Sequence, residues 1–141
     1  MGPLGRLSRV ADAVAARQKV TFARHGLDAG TFDVLATLRR SPPPHRLTPL
    51  QLTEAAMIST AATSQRLNRL ESHGFVHRTP RDDDGRGVIV ELTDEGQHLI
   101  DQAVLDHLAT NRRALSSLTI TQQRTLSQLL SRMITDLERP I

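Results

Sequence analysis

The chain has 141 residues, the length of one domain or of two small interlocked lobes, and it contains no cysteine and only three aromatic residues, all Phe. Disulfide frameworks, thiol nucleophiles, thiolate metal sites and thiol redox switches are therefore excluded, and a core made of Leu, Val, Ile and Ala favours helices over sandwiches and barrels. The net charge of +3 comes from 17 Arg and one Lys against 15 acidic residues, a choice that suits bidentate contacts to phosphate or guanine and that a GC-rich genome would also produce.

Leu4, Leu7, Val10, Ala11 and Val14 fall at helical spacing opposite Arg6, Arg9, Asp12 and Arg17, which predicts an amphipathic helix over roughly residues 4 to 23. An apolar stripe this close to the start of the chain calls for a partner surface, either the C-terminal region or a second chain. Gly26 breaks the pattern and Asp28 caps a second helix carrying Phe32, Leu35, Ala36 and Leu38 and ending at Arg39 and Arg40. Ser41-Pro42-Pro43-Pro44 then forms a stiff surface elbow. Thr48-Pro49-Leu50-Gln51 opens a short helix through Ala56, with a capping hydroxyl, Pro at the first position and a Gln that reaches back.

Met57 and Ile58 interrupt that helix, and Ser59 caps another that runs to Glu71 or Ser72 before Gly74 stops it. Two short helices joined by a tight turn form a helix-turn-helix. Phe75 to Thr79 and Val88 to Leu92 read as strands, and the polar segment from Pro80 to Gly87 between them is a projecting hairpin loop, a wing. Thr93 caps a long helix with Asp94 and Glu95 in its first turn, and Thr119 with Gln122 opens a last helix carrying Leu126, Leu129, Leu130, Met133, Ile134 and Leu137. The expected fold class is mainly α with a small antiparallel β-wing. No segment approaches the ~20 apolar residues of a membrane span, and the start lacks the apolar block of a signal peptide, so a cytoplasmic location is expected.

The strings GLDAGTFDVLATLRRSPP, RLTPLQLTEAAMISTAATSQRLNRLESHGFVHR and DDDGRGVIVELTDEGQHLI, spanning roughly Leu27 to Ile100, together resemble the MarR family of bacterial winged-helix transcriptional regulators. The signals that carry the resemblance are Arg69-Leu70-Glu71 followed by Gly74-Phe75-Val76, then Asp84-x-Arg86, then Leu92-Thr93-x-x-Gly96, in the family's order and spacing. The resemblance implies a DNA-binding domain over 27–100 between dimerisation helices in 1–26 and 101–141. It further implies an obligate homodimer on a palindromic operator, usually repressing, and released by a small ligand or another signal. The sequence departs from the family pattern at two places. Gly85 precedes Arg86 where two Arg are common, and Asn68 stands where an acid often holds the wing Arg, which predicts a less rigidly posed wing.

Projected at 100° per residue, Thr60, Thr63, Leu67 and Leu70 share the face of the second short helix that should pack on the body. The opposite face carries Ala61, Ala62, Gln65, Asn68 and Arg69: amides that suit adenine, a guanidinium that suits guanine or phosphate, and small residues that allow close approach. A polar outer face is also what any surface helix shows. Ser59 and Ser64 on the flank suit phosphate contacts. Arg86 suits the minor groove with Asp84 as its orienting partner, or an intraloop salt bridge with Asp82, Asp83 or Asp84, and Arg78 and Arg81 at the wing base suit either the DNA backbone or a solvated face.

The six His show no metal-site spacing, with His45 expected to be exposed, and the Phe and Met positions are expected in the core. No catalytic constellation and no cofactor motif is present, so the chain is not expected to be an enzyme. The favoured function is a sequence-specific, dimeric transcriptional regulator of double-stranded DNA with a possible small-molecule effector. The alternatives are a helical dimerisation module acting through protein partners and a non-specific architectural DNA binder.

Overall fold

The computed structural model describes residues 1–81 and 87–141. In chain order the elements are α1 (Pro3–Ala23), α2 (Ala29–Arg40), β1 (Arg46–Leu47), α3 (Pro49–Ala56), α4 (Thr60–Ser72), β2 (Val76–Pro80), β3 (Val88–Leu92), α5 (Asp94–Ala114) and α6 (Ile120–Leu137). The strands form an antiparallel sheet in the order β1-β3-β2, with Leu47 opposite Val90 and Arg78 also opposite Val90. The mainly helical winged fold expected from the sequence is the fold observed.

Helix starts follow local chemistry. The Thr31 N–H donates to Asp28 Oδ1 at 2.8 Å while the Asp28 N–H donates to Thr31 Oγ1 at 3.0 Å, a closed capping box at the head of α2. Thr48 with Gln51 and Thr119 with Gln122 do the same for α3 and α6. Ser59 Oγ accepts from the Ala62 N–H at 3.1 Å to start α4, and Thr93 Oγ1 accepts from the Gly96 N–H at 3.0 Å to start α5.

Helix α2 is the hub of the core. Val34, Leu35, Ala36 and Leu38 are all buried, which leaves the helix little solvent face, and Leu52, Leu67, Leu70, Val76, Val90 and Ile100 close around it. Burying one such side chain contributes ~1.5–3 kcal/mol, so this cluster fixes how α3, α4 and the sheet sit on one another. Thr53 Oγ1 and Thr63 Oγ1, 2.7 Å apart, tie α3 to α4 where both helices enter the core. The wing is locked to α5 at its root: Thr93 Oγ1 donates to the Gly74 carbonyl at 2.7 Å. A Cβ on Gly96 would collide with the Phe75 carbonyl oxygen, so only glycine allows this approach.

Four local expectations are corrected. Thr60 is exposed, because it is the first residue of α4 and Thr63, one turn on, is the first to reach the body. β1 was not foreseen, since two residues carry no alternation; it forms because the turn at His45, with φ 61°, brings Arg46 and Leu47 beside β3. That turn also places His45 Nδ1 2.8 Å from the Ser41 carbonyl, so the ring is half-buried and not simply exposed. Met57 is 90% exposed and not core, because it adopts the left-handed conformation (φ 56°, ψ 44°) that turns the chain between α3 and α4. Phe22 and Phe32 are buried as expected, their rings 4.5 Å apart.

The C-terminal half of α1 packs on α5. Gln18 Nε2 donates to Asn111 Oδ1 at 2.9 Å, the buried hydroxyls of Thr21 and Thr110 lie 2.6 Å apart, and His25 Nε2 meets Asp106 Oδ2 at 3.0 Å. The N-terminal half of α1 and all of α6 differ. No residue of α6 is buried, and Leu4, Leu7, Val10, Leu129, Ile134 and Leu137 present their side chains to solvent. No helix among the described residues is long and apolar enough to cross a membrane.

Candidate nucleic-acid interface

Helix α4 has two unlike faces. Thr63, Leu67 and Leu70 are buried against α2 and α3, whereas Ala61, Ser64, Gln65, Asn68 and Arg69 are exposed along the opposite side. Ala62 is half-buried on the edge that faces the start of α2, and Ser59 sits at the N-cap, so its hydroxyl already satisfies the helix end. The exposed face is free of large apolar groups. It is bounded on one side by the α2 N-terminus, with Asp28, Ala29 and Gly30, and on the other by the base of the wing.

Two arginines on this surface have protein partners that the sequence did not suggest. Arg69 Nη1 donates to Asp28 Oδ2 at 2.8 Å, joining the C-terminal half of α4 to the cap of α2. Partial burial opposes ionisation of Asp28, but the bonds from the Thr31 N–H and hydroxyl and from Arg69 outweigh it and bring its pKa down to about 2. The carboxylate thus serves as helix cap and as the counter-charge of Arg69.

Arg78, on β2, lies across α4. Its Nε and Nη2 donate to Glu71 Oε1 at 3.1 and 2.7 Å, its backbone N–H donates to Glu71 Oε2 at 3.1 Å, and Nη2 also donates to Asn68 Oδ1 at 2.8 Å. The guanidinium hydrogen bonds hold Glu71 below its ordinary carboxylate range. Glu71, one turn along the helix from Asn68, thus holds Arg78 at the base of the wing, while the expectation that Asn68 leaves the wing arginine less rigidly posed falls on Arg86, outside the described residues. Arg81 is half-buried at the end of β2, where its backbone N–H donates to the Gly87 carbonyl at 3.4 Å across the hairpin. Asp84 and Arg86 lie outside the described residues.

Sequence reasoning also passed over Arg66, which stands between Gln65 and Leu67 on the flank of α4. Its guanidinium lies against Gly30, where any Cβ would press on it. Its electrostatic influence falls on Asp33, whose carboxyl burial pushes up against the opposing pull of Arg66, Arg40 and His107. Arg66, Arg69 and Arg78 therefore border the exposed face of α4 with three guanidinium groups against the carboxylates of Asp28 and Glu71. Glu71 and Asp28 were legible only as a helix residue and a cap, because nothing local marks them as arginine partners.

Three of the histidines are engaged elsewhere. His73 stacks on Phe75, His25 pairs with Asp106, and the ring of His107 lies against Phe22 and Phe32 at 5.1 and 5.0 Å. Among the described residues no group of three or more His, Asp or Glu side chains is placed to hold a metal ion.

A helix-turn-helix whose second helix is exposed on its outer face, followed by a hairpin anchored to that helix, defines a winged helix-turn-helix protein. Residues 25–87 match the model of the MarR family. The chain is 38% identical over 130 residues to the HTH-type transcriptional regulator PecS of Dickeya dadantii, covering 92% of this chain and 78% of PecS. It is 28% identical over 134 residues to the multiple antibiotic resistance protein MarR of Escherichia coli, covering 94% and 91% of the two chains. Among solved structures it is similar to Sco3205 of Streptomyces coelicolor, a MarR family regulator in complex with DNA, with a TM-score of 0.83 at 27% identity over 97% of this chain and 89% of that one. It is also similar to a mutant of E. coli MarR complexed with operator DNA, with a TM-score of 0.79 at 29% identity over 93% of each chain. The chain belongs to the MarR family. It is a DNA-binding transcriptional regulator and not an enzyme, and this reading prevails over a module acting through protein partners alone.

Proposed function

We propose that the protein represses transcription in the cytoplasm by binding a palindromic operator as a homodimer, and that a small molecule releases it. The observation that carries this reading is the exposed face of α4, small and polar from Ala61 to Arg69, set on a helix whose other face is buried in the core. In this reading α4 enters the major groove. Gln65 and Asn68 meet base edges, Ala61 and Ala62 permit close approach, and Arg69 takes guanine or a phosphate in exchange for Asp28. Ser59, Ser64, Arg66, Arg78 and Arg81 contact the DNA backbone, while Arg86, oriented by Asp84, reaches the adjacent minor groove.

The segments 1–26 and 101–141 flank the DNA-binding domain 27–100 and hold the dimer. The exposed stripes of α1 and α6 support this, since an uncovered run of Leu and Ile needs a second surface. Two heads related by a two-fold axis engage half-sites about one helical turn apart, ~10 base pairs centre to centre. Selection of bound duplexes from random DNA at near-physiological salt tests the reading. A palindrome with that spacing is the expected outcome. Retention of DNA without enrichment of any sequence, by folded dimeric protein, would overturn it.

A further inference from the structure

The positive charge of the chain does not lie in the segment that carries α4. Residues 27–100 hold eight arginines against ten carboxylates, whereas 1–26 hold five basic residues against one acid and 101–141 hold five arginines against four acids. The surplus therefore comes from the flanking helical segments, and three of its arginines gather at one cleft.

Helices α1 and α5 run antiparallel, since Gln18 meets Asn111, Thr21 meets Thr110 and His25 meets Asp106. An open cleft of about 480 Å³ along this pair is lined by Arg17, Val20, Thr21 and Arg24 from the α1 side and by Thr110 and Arg113 from α5. Positions 17, 21 and 24 share one helix face, while Phe22 projects from the other side of α1 to meet Phe32 of α2. The cleft thus opens away from α2. Its floor is satisfied internally: Thr21 Oγ1 and Thr110 Oγ1 lie 2.6 Å apart, and 3.2 and 3.1 Å from the carbonyls of Arg17 and Asp106. Its rim is not. Among the described residues no carboxylate pairs with Arg17 or Arg113, and Arg24 reaches Asp106 Oδ1 only at 3.8 Å, while the other oxygen of that carboxylate meets His25.

Guanidinium groups gathered on one cleft repel one another unless an anion joins them, and each fork matches the oxygens of a phosphate or a carboxylate two at a time. We infer that the α1–α5 cleft binds a small molecule carrying two or more oxyanion groups, phosphate or carboxylate, with Arg17 and Arg113 clamping one group and Arg24 another. Thr21 and Thr110 are positioning residues, because their contact fixes the spacing of the two helices that carry the arginines. The site does not depend on how α4 meets DNA.

Isothermal titration calorimetry of the full-length protein at near-physiological salt, with pyrophosphate in one series and citrate in another, tests this without DNA. Saturable binding of at least one probe is expected, with a Kd at or below about 1 mM. Binding of pyrophosphate alone assigns the cleft to phosphates, and of citrate alone to carboxylates. Arg17→Gln with Arg113→Gln weakens that binding at least ~10-fold through the loss of charge-assisted hydrogen bonds. Arg124→Gln with Arg132→Gln removes the same charge from exposed positions of α6 and changes it less than ~2-fold, because distant exposed charges are screened.

Binding of neither probe overturns the inference, and so does equal weakening by the two pairs of substitutions, which would mean an ion atmosphere held by net charge. If the wild type takes neither probe and Arg17→Gln with Arg113→Gln dissociates the protein, the arginines meet carboxylates of a second copy and the cleft is no ligand site. Should that pair fail to fold, Arg113→Lys decides, since it keeps the charge and loses the fork: unchanged affinity overturns the clamp. Each of these outcomes leaves the regulator function intact.

Discussion

The leucines of α2 and of α6 have the same chemistry and opposite surroundings. Leu35 and Leu38 are wholly buried, while Leu129 and Leu137 are 54% and 76% exposed. In α2 the apolar positions point in several directions and each finds a wall supplied by α3, α4, the sheet or α5, so the core of the lobe that carries α4 is complete within one chain. In α6 and in the first half of α1 the apolar residues Leu4, Leu7, Val10, Leu126, Leu129 and Met133 line an open cleft between the two helices and stay largely exposed. The first region therefore sets the shape of the surface proposed to meet DNA. The second, on the proposal that a copy of the chain covers it, sets the distance between two such surfaces.

Truncating a leucine in each region separates the two roles. Leu35→Ala removes three carbons from a closed cavity and costs about 3–5 kcal/mol, lowering stability in any oligomeric state. Leu129 lies outside the buried core, on the open cleft between α6 and the first half of α1, so Leu129→Glu leaves the packing around α2 intact and puts a charge into the proposed interface. Sedimentation equilibrium is expected to show dissociation at concentrations where the wild type is dimeric, with operator affinity falling at least 100-fold because one head binds alone. A Leu129→Glu protein that dimerises as well as the wild type would remove the α6 stripe from the interface.

The two regions also differed in how openly the sequence announced them. Every cap that matters, at Asp28, Thr48, Ser59, Thr93 and Thr119, is a pattern of three or four adjacent residues and was visible without the fold. The unpartnered stripes were equally visible, because helical spacing does not depend on what lies opposite. The ties that shape the interface were not. Asp28 and Arg69 are 41 residues apart and meet only because α4 crosses the start of α2. Glu71 meets Arg78 only because Gly74, with φ 78°, folds β2 back over the helix. β1 was hidden by its shortness, and Met57 was misjudged because an apolar side chain in a left-handed turn points away from the core.

Acid sharpens the comparison, since the DNA-binding lobe carries carboxylates with low pKa values that bind its own elements together. Asp28 titrates near 2 when folded and at ~3.9 when unfolded, so its contribution is present above about pH 4 and is lost as the pH falls toward 2. The pair with Arg69 is half exposed, and after screening the loss is on the order of 1 kcal/mol. Denaturant midpoints measured between pH 5 and 2.5 are expected to fall less steeply for Asp28→Asn, which retains a capping side chain but has no charge to lose. Equal slopes would mean that Asp28 contributes only as a cap.

The smallest effect concerns the turn on which the whole recognition surface pivots. Met57 holds a left-handed conformation, unfavourable for any residue with a Cβ, and its side chain is 90% exposed, so it gains little packing in return. The turn persists because Leu52 and Thr63 on either side are buried and fix where α3 ends and α4 begins. Met57→Gly removes the conformational cost at the expense of a more flexible unfolded chain, and the balance is a gain of about 0.5–1 kcal/mol. Thermal unfolding should therefore rise by a few degrees while affinity for the selected operator stays within twofold, because neither the capping of α4 by Ser59 nor the contact of Thr53 with Thr63 depends on the Met57 side chain. A fall in affinity at unchanged stability would show instead that the Met57 side chain touches the DNA, and would extend the interface from the outer face of α4 into the turn that precedes it.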